Sequence, residues 1–245
     1  VPGRGPYRRD MDLVEVVPGL HLLRLGFVNA YLWHDEDGAT LVDTGLSGTG
    51  PAIGAALEEL GLHRADLRRI VLTHCHPDHS GSAAELAAWS GAPVLAGRAD
   101  AAVVRGDVPE PPPVVTAAEQ DLYAVASADV RPAPAVPVVD ALDEGDVLDL
   151  AGGAVVLGVP GHTPGSIALH LPRHGVLLTG DTIAGDRSGD GGPVVLGPFN
   201  TDRTAAWASL QRMAALDVEV ACFGHGRPVT TSASAVLRAA TDPFG

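Results

Sequence analysis

Cysteine is scarce: Cys75 and Cys222 are the two thiols in 245 residues. Two thiols cannot staple a small secreted domain, so stability has to come from an apolar core. Aromatic residues are few, at 4%, but the apolar fraction is 46% and the charged fraction 19%. That balance excludes global disorder and is enough for one large domain or two small ones. Basic residues are outnumbered, with 16 Lys plus Arg against 30 Asp plus Glu and a formal net charge of −14. A surface held to nucleic acid by phosphate neutralisation needs clustered cations, so a nucleic-acid partner is disfavoured. No run of about 18 apolar residues occurs, so no membrane span is expected. Residues 1–10 are rich in Pro, Gly and Arg and lack the apolar stretch of a secretory signal. They are expected to form a disordered arm ahead of a single domain over 11–245, with the cytoplasm as the expected location.

What the chain does have is histidine, ten residues against four Phe and three Tyr. Histidine is the commonest metal ligand and a frequent acid or base. The apolar pattern predicts strands over 13–17, 21–25, 28–33 and 39–42, then a helix over 51–60 that begins at Pro51 and stops at Gly61. A strand over 70–72 leads into a helix over 78–89, followed by a strand at 93–96 and a helix over 98–104. Between residues 107 and 146 prolines cluster around a helix at 116–127, which reads as an insertion packed over one end of the domain. Strands return at 147–150, 154–158, 167–171 and 176–179. A polar loop spans 184–192, a long helix 202–216, a strand 218–223 and a last helix 232–240. Leu41-Val42-Asp43-Thr44-Gly45 is echoed by Leu177-Leu178-Thr179-Gly180-Asp181, and Val71-Leu72-Thr73-His74 by Ala221-Cys222-Phe223-Gly224-His225. The echo suggests two similar β-rich halves facing each other with helices outside.

The sharpest signal is Thr73-His74-Cys75-His76-Pro77-Asp78-His79. A helix cap at Asp78 would explain one of these residues and none of the histidines. Metal binding explains them together, because neutral imidazole and carboxylate suit zinc or iron. His74 and His76 alternate and can face one side of an extended segment, while Asp78 and His79 begin a helix and reach a second point nearby. Cys75, between two ligands, is expected to point away and pack. His21, His34, His63, His170 and His174 lack clustered partners and read as structural or surface residues.

The run His-x-His-x-Asp-His at His74, His76, Asp78 and His79 resembles the signature of the metallo-β-lactamase superfamily. Three further elements follow in the family's order. His162 sits in Gly161-His162-Thr163-Pro164-Gly165, Asp181 in Gly180-Asp181 after a strand, and His225 in Gly224-His225-Gly226. The resemblance runs from about Leu13 to Ala240, nearest to the glyoxalase II and lactonase branch. It implies an α/β fold, a four-layer αββα sandwich with the site at one edge. His74, His76 and His162 would hold one metal, Asp78, His79 and His225 a second, and Asp181 would bridge them. Asp43 would orient the ligand loop without binding metal. Two ions about 3.5–4 Å apart can share a hydroxide that attacks a carbonyl or phosphoryl centre, with Asp78 as the catalytic residue that orients it and carries its proton.

The implied activity is a dinuclear Zn²⁺ hydrolase of small esters, lactones or thioesters, with Fe or Mn as other candidate metals. The rival reading is a mononuclear iron oxidoreductase resembling persulfide dioxygenases. β-Lactam hydrolysis would be at most a weak side activity, because one zinc β-lactamase subclass has a cysteine where this chain has Asp181. The tyrosine that the best-known acyl-homoserine lactonases place three residues after the bridging aspartate is Ala184 here. Arg227 and Arg238 are the basic residues after His225, fewer than glyoxalase II-like enzymes use for glutathione. The expected partner is a small molecule, not nucleic acid or a membrane, and the oligomeric state is open, a homodimer being one option.

Overall fold

The structure, a computed structural model, describes residues 11–128, 130–186 and 193–245. The arm expected over 1–10 and the latter part of the loop expected over 184–192 lie outside the described residues. The first sheet contains β1 (Met11–Val17), β2 (Leu20–Leu25), β3 (Val28–Asp35), β4 (Gly38–Val42), β5 (Leu67–Leu72), β6 (Val94–Gly97) and β7 (Val139–Leu142) in that order. Strands β1 to β4 form an antiparallel meander, and β4 to β7 run parallel. The second sheet begins with β8 (Val147–Leu148), β9 (Ala154–Gly158), β10 (Ile167–Leu171) and β11 (Val176–Leu178). A short ribbon, β12 (Ile183–Ala184) with β13 (Val195–Leu196), precedes β14 (Val220–Cys222), which joins the second sheet parallel to β11.

Side-chain alternation builds the layers. On β5, Ile70 and Leu72 face an outer cluster with Ile53, Leu57 and Leu86, while Val71 faces the other sheet. On β10 and β11, Leu169, Leu171 and Leu178 meet Leu20, Leu22 and Val42 between the sheets, while Ala168 and Leu177 face outward. The outer faces are covered by α1 (Gly50–Glu59) with α3 (Ala83–Ser90) on one side, and by α6 (Arg203–Ala214) with α7 (Ala233–Arg238) on the other. Three apolar interfaces therefore hold four layers, helix–sheet–sheet–helix. Each fully buried Leu in them contributes roughly 1.5–3 kcal/mol.

Two expectations change. The helix expected over 78–89 is two helices, α2 (Pro77–Ser80) and α3. The break at Ser82 has a cause: its Oγ accepts from Thr49 N and Gly50 N and donates to Leu46 O, so it binds the neighbouring loop. The proline-rich stretch also supplies more than an insertion, because its end, Val139–Leu142, is β7, the edge strand beside β6. Four residues so close after Pro137 carry too little alternation to be read as a strand. The earlier part holds α5 (Gln120–Ser127), while α4 (Ala101–Val104) occupies the expected helix after β6. No helix of the described residues is long and apolar enough to cross a membrane.

Candidate metal centre

The ligand-bearing segments follow strand ends. Thr73 to His79 follow β5, His162 follows β9, Asp181 lies in the 3₁₀ turn Gly180–Thr182 after β11, and His225 follows β14. Proline divides the first segment. His76 precedes Pro77 and is extended (φ −58°, ψ 146°), as a residue before proline should be, and Pro77 opens α2. His74 and His76 thus come from extended chain, Asp78 and His79 from the first turn of a helix.

Folding brings the seven candidate ligands into two groups. One is His74, His76 and His162; the other is Asp78, His79, Asp181 and His225; within each, one donor atom per residue lies within 4.8 Å of the rest. Asp181 touches both, with Oδ2 3.7 Å from His162 Nε2 and 3.1 Å from His225 Nε2, and Oδ1 3.3 Å from His79 Nε2. Asp78 Oδ2 lies 3.2 Å from His225 Nε2 and 3.7 Å from His79 Nε2. Gly224 keeps this centre open, since a Cβ there would run into Asp181 Oδ1 and the His79 ring.

Outer contacts settle which ring nitrogen turns inward. Asp43, in the left-handed region at φ 62°, accepts from Thr73 N through Oδ1 (2.8 Å) and from Thr73 Oγ1 through Oδ2 (2.8 Å). Oδ2 also accepts from His79 Nδ1 at 2.9 Å. Thr73 Oγ1 has given its hydrogen to Asp43, so it accepts from His74 Nδ1 at 3.0 Å. His225 Nδ1 donates to the Phe27 carbonyl at 2.9 Å. All three rings therefore direct Nε2 to the cluster. His76 is reversed: its Nδ1 is 2.9 Å from His162 Nε2, and its Nε2 is 3.4 Å from Glu110 Oε1.

The residues fit a metal. His74 Nε2 and Asp181 Oδ1, both turned into the cluster, are buried without a hydrogen-bond partner, a rare condition for polar atoms in a folded interior. Two imidazole nitrogens facing each other at 2.9 Å need a proton or an ion between them. Among the described residues, the ion pairs of Asp43, Asp78 and Asp181 are all to histidine, with no Lys or Arg to balance three buried or half-buried carboxylates. Imidazole with carboxylate is a donor set for zinc, iron or manganese.

The two groups differ electrically. Burial, reinforced by neighbouring imidazoles, pushes His74 well below the ordinary range and His162 down to about 3; burial also lowers His76. Burial pushes His79 the same way, but Asp181, Asp78 and Asp43 outweigh it and carry its pKa well above the ordinary value. His225 is likewise lowered by burial and raised more strongly by Asp181 and Asp78, to about 10. Burial pushes Asp78 and Asp181 up, and His79 and His225 pull them below the usual carboxylate range. Burial holds the imidazoles of the first group toward their neutral form, whereas in the second group carboxylates and histidines hold one another charged.

Sequence reasoning missed several supporting residues. The Phe27 ring stacks on His225 with centroids 5.8 Å apart. Asn29 Nδ2 donates to the Phe223 and Gly226 carbonyls, and Tyr31 Oη to the Phe223 carbonyl, fixing the turn that carries His225. Glu110 reaches His76 from the proline-rich segment. Partial burial, then the Asp78 and Asp100 charges, push its carboxyl up to about 7. No periodicity marks such residues; only contact reveals them. Of the aromatic residues that could line a pocket, Tyr31 and Trp33 are core between the sheets, and Trp207, on α6, packs against the outer cluster beneath that helix. Tyr123 and Phe199 do meet, ring to ring at 5.2 Å, joining α5 to the segment after β13. Cys75 and Cys222 are buried in core clusters, and none of the other five histidines enters the two groups.

Known proteins are similar to this chain. The family model described as the metallo-beta-lactamase superfamily matches residues 23–225. A hydroxyacylglutathione hydrolase of Cereibacter sphaeroides is 32% identical over 197 residues, covering 80% of this chain and 61% of the relative. The chain thus spans less than two thirds of that relative's length. A probable metallo-hydrolase of Bacillus subtilis, YflN, is 28% identical over 232 residues, with 88% of this chain and 87% of that protein covered. Among solved structures, a metallo-beta-lactamase family protein of Thermus thermophilus is 27% identical with a TM-score of 0.66, covering 92% of this chain and 79% of that one. The β-lactamase BJP-1 of Bradyrhizobium japonicum shares the fold at 21% identity and a TM-score of 0.63, over 90% of this chain and 80% of that one. With the family model matched over most of its length and its histidine and aspartate segments gathered at one sheet edge, the chain belongs to the metallo-β-lactamase superfamily.

Proposed function

We propose that the protein is a dinuclear, zinc-dependent hydrolase of a small ester, lactone or thioester. The observation that carries this reading is the pair of donor groups that share Asp181. His74, His76 and His162 would hold one ion, Asp78, His79 and His225 the other, and Asp181 both. Bound ions would supply Lewis acidity toward a substrate oxygen and lower the pKa of water toward neutrality. The chain's own part is position and proton handling. Asp43 and the Phe27 carbonyl fix the tautomers of His79 and His225. Asp78 is half-buried where Asp181 is buried, so its carboxylate is the more open of the two to solvent. It would orient the water, take its proton and pass it to the leaving oxygen or sulfur. The hydroxyacylglutathione hydrolases among the relatives support an acyl substrate. A panel of esters, lactones and thioesters, assayed with added Zn²⁺, Mn²⁺ or Co²⁺, tests the reading. One iron and no zinc after anaerobic purification, with O₂ uptake on glutathione persulfide, would overturn it.

A further inference from the structure

Strands β4, β5 and β6 lie side by side and parallel, with the ligand loop leaving the end of the middle one. Asp43 leaves the end of β4 on one flank. On the other flank, just past β6, sits Asp100, buried to 1% exposure. Its carboxylate accepts three hydrogen bonds. Oδ2 takes one from Cys75 N at 2.9 Å and one from Thr163 Oγ1 at 2.6 Å, and Oδ1 takes one from Gly165 N at 2.7 Å. Cys75 lies between His74 and His76, and Thr163 adjoins His162. Every donor to Asp100 therefore belongs to a segment that carries a member of the first group.

Two details show that the contact is built for those segments. Asp100 stands at the N-cap position of α4, where an aspartate ordinarily accepts from its own helix, yet its side chain makes no cap bond there. Gly165 lies so close that a Cβ on it would strike the Asp100 amide and Oδ1. A buried carboxylate is costly unless its lone pairs are met, and here charge-assisted bonds to two loops meet them.

We infer that Asp100 is a positioning residue that locks the His74–His76 loop to the His162 loop, so that its loss weakens the ion held by these three histidines and spares the other. Asp43 holds His79 directly and His74 through Thr73, so it reaches both groups, whereas the donors to Asp100 all belong to segments of the first. The inference rests on the reading that the three histidines hold an ion.

The test is competition of Zn²⁺ with a chromophoric chelator, using the full chain stripped of metal. Wild type, Asp100→Asn, Asp43→Asn, His162→Ala and the double variant His162→Ala/Asp100→Asn are compared, with circular dichroism and metal-free melting as fold controls. Asp100→Asn should weaken one ion by about 10- to 100-fold, the range for outer partners of metal ligands. Asp43→Asn removes a carboxylate that reaches His79 directly and His74 through Thr73, and should weaken both. Adding Asp100→Asn to His162→Ala should leave the remaining ion's affinity unchanged. Unchanged affinity for both ions in Asp100→Asn, or equal loss at both, overturns the inference. If Asp100→Asn does not fold, Thr163→Val removes one donor to Oδ2 and should weaken the same ion several-fold; no effect there overturns it equally. A wild type that takes up one ion overturns the two-ion reading instead, and Asp100 then stands or falls on whether Asp100→Asn weakens that ion.

Discussion

At the scale of single residues, Asp78 and His162 separate two kinds of contribution. Asp78 sits beside His79 and His225, in the group that gathers the carboxylates, and has more of its surface open than Asp181. Asp78→Asn keeps the shape and removes the charge and the proton acceptor. It should cut turnover by about 10²–10⁴-fold, the range for a positioned general base, while the melting temperature stays near wild type. Full activity in that variant would show that Asp78 does not position the water. His162 contributes a donor to the first group and nothing to the second. His162→Ala should therefore lower bound metal from two ions to one, read by elemental analysis; unchanged stoichiometry removes it from the ligand set. These residues were legible in the sequence because metal binding needs particular side chains in a particular order. Asp100, Glu110 and Phe27 were not, because each acts through spatial contacts that no spacing encodes.

At the scale of elements, the proline-rich segment is held down by charge. Glu119, buried just before α5, accepts from Thr116 N at 2.9 Å, Phe199 N at 2.9 Å and Arg203 Nη1 at 3.0 Å. Arg203 also pairs with Asp242, near the end of the chain. Burial pushes the Glu119 carboxyl up, but the two amides and the guanidinium outweigh it and hold it below its ordinary value. A depressed carboxyl stabilises the fold fully above its unfolded value of about 4.3 and loses that contribution as pH falls below it. Glu119→Gln should therefore be less stable than wild type at pH 7, with the gap narrowing toward about pH 3.5 in urea unfolding. A gap of equal size at both pH values would show that the ionised carboxylate is not what pins the segment. Most long elements could be read from periodicity and from Pro and Gly at their ends. The α2–α3 break and β7 could not, because the first depends on Ser82 reaching the Thr49 and Gly50 amides, and the second is four residues paired to β6.

At the scale of the molecule, the weak echo between the two halves has a structural counterpart. In the first sheet, Asp43 and His74 follow the parallel pair β4 and β5; in the second, Asp181 and His225 follow the parallel pair β11 and β14. Two sheets packed through one apolar layer bring both strand ends to a common edge, where the two donor groups meet. The sandwich was legible because the echo of two β-rich halves and the family resemblance carried by the order of the motifs agree on it. The substrate was not, because the segments that would recognise it are loops whose composition carries no period. The most direct measurement of the central claim is to strip the protein of metal, add Zn²⁺ in steps, and follow hydrolysis of the best substrate in the ester, lactone and thioester panel. Activity should rise with added Zn²⁺ and level off at two equivalents per chain. Hydrolysis that levels off at one equivalent, or that proceeds unchanged in the stripped protein, would contradict a two-ion hydrolase.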